Sequence, residues 1–131
     1  MEKAGERVKF TGYIENQKLY RYYQSADIQV IPSLWEEAAG LIAIEGMLSG
    51  LPLIITKSGG MIEYAPSNVA VWIDRDNIIP NLEAAIIQLA DDKEKRKEMS
   101  ELSLEQAKEF PKKKFYEDYI EVFEHEGTRK R

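Results

Sequence analysis

The stretch that decides the fold is residues 28–56, which read IQVIPSLWEEAAGLIAIEGMLSGLPLIIT. It begins with the β-branched run IQVI and ends with a second one, LIIT. Turn-forming residues follow the first run, as proline and serine, and precede the second, as glycine and proline. Between the two runs, Leu41, Ile44 and Leu48 recur at the spacing of one helix face. A strand, a helix and a second strand are joined most simply by a right-handed crossover, which makes the two strands parallel.

The same alternation continues on both sides of this stretch. Further short β-rich runs lie at residues 8–11 and 69–73, and helical spacing occurs at residues 19–26 and 60–64. The predicted order is therefore β-α-β-α-β-α-β. We expect an α/β fold with a doubly wound, parallel Rossmann-like sheet that is covered by helices on both faces.

After residue 73 the pattern becomes purely helical and predicts a C-terminal helical cap. Its apolar stripes are formed by Leu82, Ala85, Ile86 and Leu89, by Met99, Leu102 and Ala107, and by Phe115, Tyr119, Val122 and Phe123. We expect a single domain over residues 1–131, with a β/α core at 8–73, the helices at 78–125 and a frayed tail at 126–131.

The composition excludes several kinds of functional site. The chain has 131 residues, 44% of them hydrophobic, with no cysteine and one histidine, His125. Thiolate zinc sites, cysteine nucleophiles and histidine-based sites are therefore not expected, and we predict no metal. A net charge of −5 argues against nucleic acid as a partner. No apolar run reaches the roughly 20 residues that span a bilayer, and the start lacks a secretory signal, so we expect a cytoplasmic protein.

The most informative loop lies between the predicted strand that ends at Ile31 and the helix that begins near Gly40. Ligands of parallel α/β sheets gather at the carboxyl ends of the strands. The N–H groups of Ala39, Gly40 and Leu41 would point into that crevice together with the positive end of the helix dipole. Such a helix start suits a phosphate group.

Two carboxylates flank this helix start, Glu37 before it and Glu45 inside it, with seven residues between them. A phosphate site with an acceptor on each side fits a ligand that is anionic in the middle and rich in hydroxyls at both ends, as a nucleotide sugar is. Each carboxylate also has a simpler interpretation: Glu37 as a residue favoured by the helix dipole, and Glu45 as a solvated side chain.

This spacing resembles the E-x7-E motif of retaining glycosyltransferases with the GT-B fold, family 4, also known as glycosyl transferases group 1. Further landmarks of that family occur in the same order, so that the resemblance extends from about residue 8 to residue 123. They are the segments FTGY at 10–13, ADI at 26–28, PS at 32–33, EGM at 45–47, GLP at 50–52 and GG at 59–60, followed by Glu63.

The resemblance implies roles for individual residues. The positions that it assigns to donor binding are Glu37, Ala39, Gly40, Leu41, Glu45, Gly12, Tyr13 and Ile14. Glu37 would accept hydrogen bonds from the donor sugar and is the candidate catalytic residue, and Glu45 would accept them from the ribose. The three amides would hold the diphosphate, and the glycine turn would lie beside the base. A hexosyl group would be transferred with retention, without a cofactor, to a glycan or glycolipid acceptor.

The sequence departs from the family pattern at three points. Ala38 and Ala39 stand where proline and phenylalanine are usual, and Gly46 stands where alanine is usual. More seriously, the resemblance covers only the later part of the second of two domains. We therefore expect an incomplete chain that is inactive alone, whose acceptor is bound by a missing N-terminal domain, and whose exposed sheet edge favours self-association.

Other functions remain open at this point. The chain could be a non-catalytic α/β module that binds a protein, including a separately encoded acceptor domain. A glycoside hydrolase that uses Glu37 and Glu45 as an acid/base pair is a third alternative. Lys57 is a minor candidate for a phosphate contact. The run of lysines at residues 112–114 provides an alternative location, peripheral attachment to the membrane.

Overall fold

A computed structural model describes residues 7–35 and 40–110 of the chain, and the side chains of Asn16 and Gln17 are outside that description. The elements follow one another in the order expected from residue 16 onward. They are α1 (Asn16–Ser25), β1 (Gln29–Ile31), α2 (Leu41–Leu48), β2 (Leu53–Thr56), α3 (Met61–Tyr64), β3 (Ala70–Ile73), α4 (Ile78–Asp91) and α5 (Lys93–Ala107).

The three strands form one parallel sheet in the order β1-β2-β3. Val30 of β1 lies opposite Ile54 of β2, which in turn lies opposite Val71 of β3. A helix connects each strand to the next, as parallel strands require. The predicted parallel, Rossmann-like α/β fold is confirmed.

The sheet is covered by helices on both faces. Every residue of β2 is buried, and its side chains alternate between two hydrophobic clusters. Leu53 and Ile55 pack in the cluster that includes Met47 of α2, whereas Ile54 packs in the cluster that includes Leu89 of α4. A strand that is apolar on both faces belongs at the centre of such a layered sheet, and β2 occupies that place.

The strand predicted at residues 8–11 is wrong. These residues form neither helix nor strand, and the side chain of Phe10 is 78% exposed. A strand is stable only when a neighbouring strand pairs its backbone N–H and C=O groups, and within the described residues no strand lies beside this segment. Within the described residues the segment does not pair with β1, so the sheet has three strands.

The C-terminal helices that were predicted from their apolar stripes are confirmed through residue 107. Asp92 begins α5 and accepts a hydrogen bond from the backbone N–H of Lys95 at 2.8 Å. The hydroxyl of Ser103 donates to the carbonyl of Leu51 at 2.9 Å, which attaches α5 to the turn after α2. The third predicted stripe, at residues 115–123, and the tail at 126–131 lie outside the described residues.

In the described part of the chain, no helix combines the length and the apolar character that crossing a membrane requires.

Candidate functional site

Helix α2 begins at Leu41, with Gly40 as the residue that precedes its first turn, close to the start near Gly40 that the sequence predicts. In sequence it follows the carboxyl end of β1. The Gly40 carbonyl accepts the first helical hydrogen bonds, from the N–H groups of Ala43 at 2.9 Å and Ile44 at 3.0 Å. Because glycine has no side chain, it makes no side-chain cap for the first turn. The N–H groups of Leu41 and Ile42 precede the first helical bond, and both residues are exposed. This end of the helix therefore offers donors to an anion.

Gly40 itself is buried because α3 packs against it. A Cβ atom at this position would lie 2.9 Å from Cδ2 of Tyr64 and 3.5 Å from Cγ of Met61. The φ angle of Gly40 is −81°, which any residue adopts. The glycine is needed for space and not for its backbone conformation. The Tyr64 ring therefore closes one side of the helix start, and the next two residues, Leu41 and Ile42, are exposed.

Glu45 presents an exposed carboxylate on the same helix, five residues beyond Gly40. Its Oε2 atom accepts a hydrogen bond from the hydroxyl of Tyr23, on α1, at 3.0 Å. Burial of the Tyr23 ring, the hydrogen bond to Glu45 and the negative charge of that carboxylate together raise the pKa of Tyr23 to about 12. The tyrosine therefore stays protonated at neutral pH and can act as a permanent donor to Glu45.

Gln29 of β1 lies next to the contact between Tyr23 and Glu45. Its Nε2 atom donates to the carbonyl of Ile42 at 3.1 Å. The Gln29 side chain is also close enough to the Tyr23 hydroxyl to lower the pKa of Tyr23, which opposes the effect of Glu45. Gln29 is buried, and its Oε1 atom has no hydrogen-bond partner. Sequence reasoning missed Tyr23 and Gln29. A sequence signal was available for Gln29. It is a polar residue in a β-rich run, and because side chains alternate along a strand it lies on the same buried face as Ile31.

An open groove of about 260 Å³ lies between α1 and α2, and Glu45 forms part of its wall. The side chains that line it are Leu19, Tyr20, Tyr23, Glu45, Leu48 and Ser49. The carboxylate therefore adjoins a space that has both aromatic and aliphatic walls.

The structure brings Gly40, Leu41 and Glu45 together on one helix. The predicted site residues Glu37 and Ala39 lie outside the described residues, as does Ala38. Residues 12–14 form neither helix nor strand; Gly12 has a φ of 64°, as a turn would need, and Tyr13 is 90% exposed. Among the described residues, no side-chain hydrogen bond joins this segment to Glu45; the bond of Glu45 is to Tyr23. The predicted position of the segment beside a base stays a prediction.

Lys57, the minor candidate for a phosphate contact, is paired with an acid. Its Nζ atom lies 2.8 Å from Oδ1 of Asp74, so the two residues connect the carboxyl ends of β2 and β3. This exposed ion pair offsets the charge that Lys57 would bring to an anion. In the part of the chain that the structure describes, no group of three or more His, Cys, Asp or Glu side chains could hold a metal ion.

Comparison with known proteins identifies several relatives. A D-inositol 3-phosphate glycosyltransferase of Corynebacterium diphtheriae is 32% identical over 105 residues, which are 79% of this chain and 24% of that protein. An uncharacterised glycosyltransferase of Methanocaldococcus jannaschii is 35% identical over 68 residues, 51% of this chain and 17% of that protein. A mannosylfructose-phosphate synthase of Agrobacterium fabrum is 39% identical over 56 residues, 43% of this chain and 12% of that protein.

The chain thus spans a quarter or less of the length of these relatives. The sequence profile of the family described as glycosyl transferases group 1 matches residues 2–106. That match includes all of the sheet and the whole of α2, with Gly40 and Glu45. Because it covers well over half of the residues, the chain belongs to glycosyl transferases group 1.

Proposed function

We propose that this chain binds the nucleoside-diphosphate sugar donor of a retaining, GT-B, family 4 glycosyltransferase. The observation that carries the proposal is the arrangement on α2, where a helix start without a side-chain cap and the exposed side chain of Glu45 lie on one short helix. Glu45 lies five positions beyond Gly40, which is about 7.5 Å along a helix axis. One ligand can therefore reach both.

In this proposal the diphosphate binds to the first-turn N–H groups of α2, and the ribose hydroxyls donate to Glu45. The helix dipole and the free N–H groups favour negative charge at this position. During transfer, the bond between the anomeric carbon and the diphosphate oxygen breaks, and the acceptor hydroxyl oxygen forms the new bond. The electron pair of the broken bond stays on the departing diphosphate, where the helix start stabilises it, and the proton of the acceptor hydroxyl passes to a diphosphate oxygen.

Glu37 completes the proposal by accepting hydrogen bonds from the hydroxyls of the transferred hexosyl group. An ionised carboxylate has two acceptor oxygens and no donor, which suits adjacent sugar hydroxyls. No cofactor is proposed, because the nucleotide sugar is itself the activated substrate. The acceptor, a glycan or a glycolipid, would be bound by a part of the protein beyond this chain, so that the 131 residues alone bind the donor without turning it over.

Titration of the purified chain with UDP, GDP and ADP and with their sugar derivatives, by calorimetry or NMR, tests this proposal. We expect one of the three nucleotides to bind, and Glu45→Gln to weaken that binding about tenfold, as the loss of a hydrogen bond to a charged group predicts. Glu37→Gln should instead weaken mainly the sugar derivative. Glu83→Gln, an exposed position on α4, is the matched control. A chain that responds to none of these ligands contradicts the proposal.

A further inference from the structure

We propose that Tyr23 is a positioning residue that holds the Glu45 carboxylate in the orientation in which it accepts hydrogen bonds from a ribose. This inference rests on the proposed donor site and adds to it a residue on a different helix. A preference for ribose over deoxyribose would then depend on Tyr23, which need not touch the nucleotide.

The geometry of the contact provides the first step. The Tyr23 hydroxyl donates to Oε2 of Glu45 at 3.0 Å, across 22 residues of sequence. An exposed glutamate normally samples several rotamers, and holding it in one costs conformational entropy. A carboxylate that is already fixed before the ligand arrives binds more tightly, because that cost is met during folding. The other oxygen, Oε1, is left for the ligand.

Tyr23 is itself held in place, which a positioning residue requires. Its ring packs against the core cluster that contains Ile44 and Met47 of α2. Gln29, whose side chain is close enough to the Tyr23 hydroxyl to lower the pKa of Tyr23, donates to the carbonyl of Ile42 at 3.1 Å. Tyr23 therefore packs against α2, the helix that carries Glu45, and the neighbouring Gln29 is hydrogen-bonded to the same helix.

The Tyr23 hydroxyl that donates to Glu45 carries no charge. Within the described residues, Glu45 forms no ion pair, and the group bonded to its carboxylate is a neutral hydroxyl. A lysine or arginine in this position would orient the carboxylate but would also neutralise it. A protonated tyrosine orients it and leaves its negative charge available to the hydroxyl donors of a ribose. This difference separates a positioning role from an ordinary salt bridge.

The test compares the nucleoside diphosphate that binds best, among UDP, GDP and ADP, with its 2′-deoxy counterpart, on the full chain by NMR or calorimetry. We expect Tyr23→Phe to weaken binding of the ribonucleotide about fivefold, the effect of losing one hydrogen bond, and to leave binding of the deoxynucleotide unchanged. A merely structural role would weaken both equally. In Glu45→Gln, addition of Tyr23→Phe should have no further effect.

Tyr22→Phe is the matched control, since Tyr22 is an exposed tyrosine on the same helix. The phenylalanine variant keeps the packed ring, and an NMR spectrum of each variant verifies that it is folded. If Tyr23→Phe retains the full preference for the ribonucleotide while Glu45→Gln loses it, the inference about Tyr23 is wrong and the donor site stands. If the unmodified chain binds neither nucleotide, the proposed function is wrong and this inference fails with it.

Discussion

Gly46 of α2 and Gln29 of β1 lie so close together that no side chain larger than a hydrogen atom fits at position 46. A Cβ atom there would overlap Oε1 of Gln29 and would lie 2.9 Å from Cδ of that residue and 2.9 Å from Cδ2 of Leu53. Glycine inside a helix is normally unfavourable by about 0.5–1 kcal/mol relative to alanine. Here the buried amide of Gln29 leaves room for glycine alone at position 46.

Gly46→Ala should therefore destabilise the protein, although alanine is the better helix former. Overpacking of a buried position costs about 1–3 kcal/mol, and the gain in helix propensity offsets at most about 1 kcal/mol of it. We expect a net loss of about 1 kcal/mol in the free energy of unfolding, measured by urea denaturation.

The double variant Gly46→Ala with Gln29→Val is the control for this mechanism. Valine removes the amide, which is the nearest obstruction to the new methyl group, so the alanine should be better tolerated in that background, where only Cδ2 of Leu53 must shift. The two substitutions should then show a coupling free energy of about 1–3 kcal/mol, as neighbours in contact do. A single Gly46→Ala variant that is more stable than the parent would show that Gln29 moves aside without cost.

The sheet was predictable from residue 28 onward because its signals are local. The runs at residues 28–31 and 53–56 are short, β-branched and bounded by turn residues, and the spacing of Leu41 and Leu48 is that of a helix. Residues 8–11 carry a similar local signal and yet form no strand. A strand depends on a neighbour that pairs with it, and no local pattern reports whether that neighbour is present.

The site was predictable to a similar extent. The rule that a helix start at the carboxyl end of a parallel strand receives an anion made Gly40 and Leu41 candidates, and the spacing from Glu37 made Glu45 a candidate. The structure places all three on α2, and their binding of a ligand stays a prediction. Tyr23 was not distinguishable, because Tyr20 and Tyr22 lie beside it and helical spacing assigns all three to packing. Only the tertiary arrangement shows which hydroxyl reaches the carboxylate.

Tyr23 also predicts a pH dependence of stability. Its ordinary pKa of 10.0 is raised to about 12 in the folded protein, so the unfolded chain releases the phenolic proton first. The stabilisation is fully present below about pH 10 and is lost as the pH rises toward about 12. The free energy of unfolding of the parent should therefore fall more steeply over this interval than that of Tyr23→Phe, when both are followed by denaturant titration.

Tyr22→Phe is the control for the pH effect, because it removes a tyrosine of the same helix that does not contact Glu45. Its stability should follow that of the parent through the whole interval. If Tyr23→Phe and the parent lose stability in parallel, the pKa of Tyr23 is not raised in the folded protein.

Ser103 attaches the C-terminal helix α5 to the core and is fully buried. Its hydroxyl donates to the carbonyl of Leu51 at 2.9 Å. Ser103→Ala should lower the free energy of unfolding by about 1–2 kcal/mol, because the buried carbonyl loses a donor that water cannot replace. Ser100→Ala, one turn earlier and partly exposed, should change it by less than about 0.5 kcal/mol. Equal effects of the two substitutions in thermal or urea unfolding would contradict a specific role for the Ser103 hydroxyl.

Gly40→Ala tests whether the start of α2 is both sterically fixed and functional. The added methyl group would lie 2.9 Å from Cδ2 of Tyr64, whose ring packs against that of Phe110 with centroids 5.5 Å apart, so the ring has little freedom to withdraw. We expect a loss of about 1 kcal/mol or more in stability and weaker binding of the nucleoside diphosphate, because the first-turn N–H groups shift.

Adding Tyr64→Leu should create space for the methyl group and recover much of the binding, with Tyr64→Leu alone as the reference. Reduced stability with unchanged nucleotide affinity would show that the diphosphate does not bind at this helix start, whereas unchanged stability would show that the contact with Tyr64 is not tight.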